Sequence, residues 1–140
     1  MNQRSGGCLC GAVRFTLTGE PLSIRICWCR DCQHLSANGS VNVLVPEDTL
    51  SIRGTLAEYT KSADSGNRVT REFCPSCGTH LFARSAARPH LRVLRAGNLD
   101  EPASIRPQLN IWTASAPAWA CMDPALSGVP HQPAPPPESS

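Results

Sequence analysis

Apolar and polar positions alternate with a period of two along much of this chain. Ala12-Val13-Arg14-Phe15-Thr16-Leu17-Thr18, Leu22-Ser23-Ile24-Arg25-Ile26 and Val41-Asn42-Val43-Leu44-Val45 each gather apolar side chains on one face, as half-buried strands do. Shorter runs at 50–53, 56–60, 68–73, 91–94 and 108–112 predict further strands. Gly19, Gly39, Gly54, Gly66, Gly78 and Gly97 fall between the runs, where turns need permissive backbone. No stretch sustains a 3.6-residue apolar repeat, so helix is expected only as short turns, one after Cys32 and one near 102–104. The pattern predicts a mainly β domain of many short strands over residues 1–122. Beyond it, Pro124, Pro130, Pro133, Pro135, Pro136 and Pro137 with few apolar anchors predict an extended or mobile tail over 123–140.

Composition narrows this picture. A length of 140 residues suits one domain, and 41% hydrophobic against 17% charged residues makes it globular rather than disordered. Aromatics are only 5%, so the core must rest on Val, Leu, Ile and Ala. A formal charge of +2 is too small to build a nucleic-acid groove. No apolar run reaches the roughly 20 residues of a membrane span. The opening Met1-Asn2-Gln3-Arg4-Ser5-Gly6-Gly7 lacks the apolar segment of a secretion signal, which points to the cytoplasm. Thiols stay reduced there, so the eight cysteines are expected to bind metal rather than form disulfides.

Seven of the eight fall into three groups: Cys8 and Cys10; Cys27, Cys29 and Cys32; Cys74 and Cys77. Read as strand positions, Cys8 and Cys10 point to one face, and Cys27 and Cys29 do the same. Bonds of about 2.3 Å in a tetrahedron set zinc-bound sulfurs roughly 3.8 Å apart, within reach of such pairs. Cys74-Pro75-Ser76-Cys77-Gly78 suits a tight knuckle, with Pro75 fixing φ, Gly78 free to take positive φ, and backbone N–H groups aimed at the sulfurs. Two partitions are open. In one, Cys8, Cys10, Cys74 and Cys77 close a structural site while Cys27, Cys29 and Cys32 hold a second metal with a free position. In the other, Cys29 and Cys32 join Cys74 and Cys77 in a ribbon-like site. Cys121 stands alone and reads as an ordinary thiol.

Gly6-Gly7-Cys8-Leu9-Cys10-Gly11-Ala12-Val13-Arg14-Phe15, then Cys27-Trp28-Cys29-Arg30-Asp31-Cys32, then Arg71-Glu72-Phe73-Cys74-Pro75-Ser76-Cys77-Gly78-Thr79, and finally Gly97-Asn98-Leu99-Asp100 occur in this order. Together they resemble the glutathione-dependent formaldehyde-activating (Gfa-like) family, over about residues 6–119. The resemblance implies an Mss4-like folded β-sheet domain with zinc-clamped hairpins. It implies two zinc ions: a structural one on Cys8, Cys10, Cys74 and Cys77, and a more labile one on Cys27, Cys29 and Cys32. It also implies a carbon–sulfur lyase-type activity with glutathione as co-substrate and formaldehyde as the aldehyde. Trp28 stands where the family usually has histidine, and His34 is the nearby residue that could carry a proton instead.

Three thiolates favour a soft fourth ligand, and a substrate thiol answers that description. Bound there, it would ionise near neutral pH and add to an aldehyde, giving a hemithioacetal reversibly. Arg30 and Arg71 are candidates to pair with a carboxylate of the thiol. The expected partners are a small thiol and an aldehyde, on a monomer or homodimer, with neither nucleic acid nor membrane. The alternative is a non-catalytic zinc-binding module with an interaction or chaperone-like role, since fold does not fix function. A weaker third reading has Cys29 and Cys32 doing redox work without metal. Seven thiolates holding two divalent ions would turn the formal +2 into about −1.

Overall fold

Eleven strands build the protein in the computed structural model, which describes residues 2–134: β1 (Gln3–Gly7), β2 (Arg14–Thr18), β3 (Ser23–Cys27), β4 (Ser40–Pro46), β5 (Leu50–Arg53), β6 (Ala57–Ser62), β7 (Arg68–Phe73), β8 (His80–Ser85), β9 (Leu91–Arg95), β10 (Leu109–Ile111) and β11 (Ser127–Gly128). One α-helix, α1 (Arg30–Ser36), follows β3. It begins before Cys32 rather than after it, because Cys29 caps its first turn, the Cys29 sulfur accepting from the Cys32 N–H. A 3₁₀ turn at Pro102–Ser104 lies where the proline predicts one. No helix among the described residues is long and apolar enough to cross a membrane.

The strands form two sheets. β1, β2 and β5 make a three-stranded antiparallel sheet. The other eight run in the order β11-β10-β3-β4-β9-β8-β7-β6, antiparallel except where β10 pairs in parallel with β3 and β11. Val13, Phe15 and Leu17 from around β2 meet Val43, Val45, Leu81, Phe82 and Leu94 of the larger sheet in one buried cluster. Phe15 and Phe82 cross edge to face with ring centroids 5.4 Å apart. Aliphatic side chains fill most of the remainder, as the low aromatic content requires.

Register then fixes what the opposite face of the larger sheet carries. Ile24 pairs with Val43, Val43 with Leu94 and Leu94 with Phe82, all toward the core. The alternate positions, Arg25 beside Asn42 and Asn42 beside Arg95, must therefore point the other way, with Cys27 two residues beyond Arg25. This second face sets Arg25, Asn42 and Arg95 among Leu44, Ala83 and Val93, and it borders a cavity of about 130 Å³. At one end of the sheet β6 is the edge strand, with Glu58 through Ser62 exposed. At the other, the described part of the tail lies along β10, where the Val129 N–H donates to the Asn110 carbonyl at 2.9 Å. His131 stacks edge-on to Trp112. Pro135, Pro136 and Pro137 lie outside the described residues.

Candidate metal centres

The seven grouped cysteines come together as four and three. The sulfurs of Cys8, Cys10, Cys74 and Cys77 all lie within 4.8 Å of one another, and those of Cys27, Cys29 and Cys32 form a second such group. All eight thiols are free of disulfides, and Cys121 is exposed and outside both groups. The ribbon-like pairing of Cys29 and Cys32 with Cys74 and Cys77 does not occur.

Local structure explains the first group. Cys8 and Cys10 do not sit on a strand, contrary to the alternation argument. They lie in the turn joining β1 to β2, where the Gly11 N–H returns to the Cys8 carbonyl at 3.1 Å and Gly11 takes φ +82°. A turn can bring the sulfurs closer than a pleated strand would, and they stand 3.7 Å apart. Cys10 is 3.8 Å from Cys74. Both values match the edge of a tetrahedron of zinc–sulfur bonds, roughly 3.8 Å.

Cys74 and Cys77 sit in the β7–β8 turn, closed by the Gly78 N–H on the Cys74 carbonyl at 2.9 Å, with Gly78 at φ +78°. In the knuckle the Ser76 N–H faces Cys74 Sγ at 3.4 Å as expected, and outside it the Val13 N–H faces Cys8 Sγ at 3.2 Å. The Thr79 hydroxyl, 3.1 Å from Cys77, and backbone N–H groups behind it pull the Cys77 thiol down to about 5. This donor set fits a closed four-thiolate site and could hold zinc.

The second group is built differently. Cys27 ends β3, Cys29 caps α1 and Cys32 lies in the helix's first turn, so one strand-to-helix junction supplies all three sulfurs. All three are buried. The Cys32 N–H donates to Cys29 Sγ at 3.4 Å, and the Asn42 amide nitrogen lies 3.8 Å from Cys32 Sγ. Hydrogen bonds from Cys27 and Cys29 hold the Cys32 thiol down against its burial, helped by the charge of Arg95. The same contacts, with burial, push Cys27 up. Cys32 therefore ionises before Cys27, and a cation would take the place of the remaining protons. No fourth side-chain ligand joins this group among the described residues, and the three cysteines line the cavity. Three buried thiols beside open space fit an open metal site.

The helix carrying Cys32 is tied down from outside. Asp31 accepts from Lys61 of β6 at 2.9 Å and from Arg71 of β7 at 3.3 Å. Arg71 is buried and lines the cavity. Arg30 is exposed, bonded to Gln33 at 2.8 Å, and does not line the cavity. His34 is exposed on α1. Trp28 is buried, its indole N–H on Asn110 at 3.1 Å, and it too stays out of the cavity lining. Sequence reasoning missed Arg25, Asn42 and Arg95, which border the cavity. The period-two alternation that puts Arg25 on the face of Cys27 was the available signal.

Residues 3–115 match the family described as glutathione-dependent formaldehyde-activating enzyme. A crystal structure of a Rhodobacter sphaeroides protein, determined as a structural-genomics target, has a similar fold with a TM-score of 0.56. It is 21% identical, and the match covers 74% of this chain and 91% of that one. No curated protein matches the chain at comparable significance.

Proposed function

The chain belongs to the glutathione-dependent formaldehyde-activating enzyme family, and on that footing we propose that it adds a thiol reversibly to an aldehyde at the Cys27–Cys29–Cys32 centre. The observation that carries this reading is the contrast between the two thiol groups. One has four sulfurs in contact range, and the other has three buried sulfurs opening onto a cavity. A zinc ion on the three thiolates would supply a soft acceptor for a substrate sulfur and so lower the pKa of that thiol.

The chain's own residues hold and shape this centre. Cys29 is fixed by its capping role and Cys32 by the Asp31 clasp on Lys61 and Arg71. Asn42 keeps its amide against Cys32, which limits the charge that sulfur must bear. In the reaction a carbon–sulfur bond forms between the thiolate and the carbonyl carbon. The carbonyl π pair moves to oxygen, which takes a proton, and the reverse step is the lyase direction.

Proton NMR exchange between glutathione and formaldehyde, with and without the zinc-loaded protein, tests the reading. Faster exchange with protein supports it, and exchange at the spontaneous rate removes glutathione plus formaldehyde as the reactant pair. A non-catalytic zinc module would hold two equally tight ions. The open site should instead release one ion to mild chelation and keep the other.

A further inference from the structure

The sheet face that carries Cys27 holds more positive charge than this chemistry uses. Arg25, Arg71 and Arg95 come from three strands, β3, β7 and β9, and all three line the cavity beside the cysteine cluster. Each is more than nine-tenths buried, at 7%, 6% and 9% exposure. A guanidinium that deep needs a counter-charge or a full set of acceptors. Neither is complete here. Arg71 gives Nη2 to Asp31, while its Nε and Nη1 have no partner. Arg95 gives Nη1 to the neutral Ser40 and Asn42, and its Nε is unpaired. Arg25 Nε is unpaired as well. Among the described residues no carboxylate stands within ion-pair distance of Arg25 or Arg95.

The excess is not absorbed by the cysteines. Three thiolates around one divalent ion would carry a single net negative charge, and Asp31 is shared with Lys61. Three buried guanidinium side chains lining one cavity, two of them without a carboxylate partner, ask for a ligand with acceptor atoms. The planar fork of arginine matches a carboxylate, two parallel N–H···O bonds at a time. Asn42 touches both Cys32 Sγ and the Arg95 guanidinium, so the thiol cluster and the arginines are one side chain apart. At about 130 Å³ the cavity seats a group of a few atoms.

We propose that Arg25, Arg71 and Arg95 form a carboxylate-binding subsite beside the three-cysteine cluster, and that one reactant carries an ionised carboxylate within a few bonds of its reacting atom. The subsite stands on the arginines alone. Its assignment to a reactant rests on the thiol–aldehyde reading. The carboxylate has two sources, the thiol or the carbonyl compound.

The test uses the zinc-loaded full chain and follows the Arg25, Arg71 and Arg95 Nε–H signals by NMR, assigned with single Arg→Lys variants. Acetate should shift these signals saturably, while 2-mercaptoethanol and acetaldehyde, at equal concentration, should not. Mercaptoacetate tighter than acetate by about tenfold or more assigns the carboxylate to the thiol, and glyoxylate tighter by the same factor assigns it to the carbonyl compound. Arg25→Gln and Arg95→Gln should each weaken acetate about tenfold and abolish the rise in melting temperature that acetate gives, with zinc content unchanged. Signals that stay still under all three carboxylates overturn the subsite, in the unmutated protein where misfolding is not at issue. Equal affinity for all three overturns the placement near the reacting atom. Acetate binding alongside a spontaneous rate of glutathione–formaldehyde exchange removes that reactant pair and leaves the subsite standing.

Discussion

Two cysteines with the same side chain have opposite expected roles. Cys77 closes a four-sulfur group that joins two distant turns, whereas Cys29 belongs to three sulfurs supplied by a single junction. Structural zinc contributes on the order of 10 kcal/mol to folding in small zinc domains. Cys77→Ser should therefore lower the melting temperature by more than about 10 °C or prevent folding. Cys29→Ser should remove one zinc equivalent and leave the far-ultraviolet circular dichroism of the β fold in place. Metal analysis and a thermal melt on both variants decide the matter, and the reverse pattern would exchange the two roles. Chemistry of this kind is legible in sequence because the residue type itself carries it. The arginines were less so: Arg25 read as an ordinary strand residue and Arg95 fell just past the run at 91–94, until register put both on the face of Cys27.

Strands were readable wherever one face is buried and the other wet. β2 to β7, β9 and β10 all overlap predicted runs, and β2 shows that contrast of faces most clearly. β1 has no such signal, since Gln3-Arg4-Ser5-Gly6-Gly7 contains no apolar side chain. Its place comes from neighbours: Gly6 lies where a Cβ would strike the Asn98 carbonyl oxygen and the Phe15 ring. Gly6→Ala should then cost about 1–3 kcal/mol, read from chemical denaturation, because a backbone carbonyl cannot step aside as a flexible side chain can. β8 escaped notice for the opposite reason, with Leu81, Phe82 and Ala83 buried in succession and no alternation to see. The Asp100 carboxylate at the end of the Gly97-Asn98-Leu99-Asp100 motif forks onto Arg14 of β2 at 3.0 and 2.6 Å. That fork holds the Asp100 carboxyl below its usual range. The unfolded chain would titrate it near about 3.9, so the pair's contribution is complete above that pH and is lost as pH falls toward the depressed folded value. Asp100→Asn should be less stable than the parent at pH 6, and the gap should close in strong acid. A gap independent of pH would mean that the ion pair contributes nothing.

For the whole molecule, the four-cysteine group matters more than its size suggests. It links the β1–β2 turn of the small sheet to the β7–β8 turn of the large one, across the core between them. A strong chelator on heating should thus abolish a single cooperative transition. A weak one that strips only the three-cysteine centre should leave the melting temperature within about 3 °C of the parent. Cysteine spacing offered this cross-link as one of two partitions, and the two-sheet arrangement was not legible, because long-range pairing depends on packing that no local pattern encodes.

The exposed edge at β6 has a consequence for how this molecule meets copies of itself. An unpaired strand edge is a template for another chain, and β6 is wet on nearly its whole length. Glu58 and Lys61, the only lysine in the protein, stand on that edge and pair with Arg84 and Asp31. An incoming strand would have to desolvate both charges, so the edge acts as its own guard against aggregation. Glu58→Thr combined with Lys61→Thr should convert it into an adhesive one, seen as light scattering that rises with protein concentration while the parent solution stays clear.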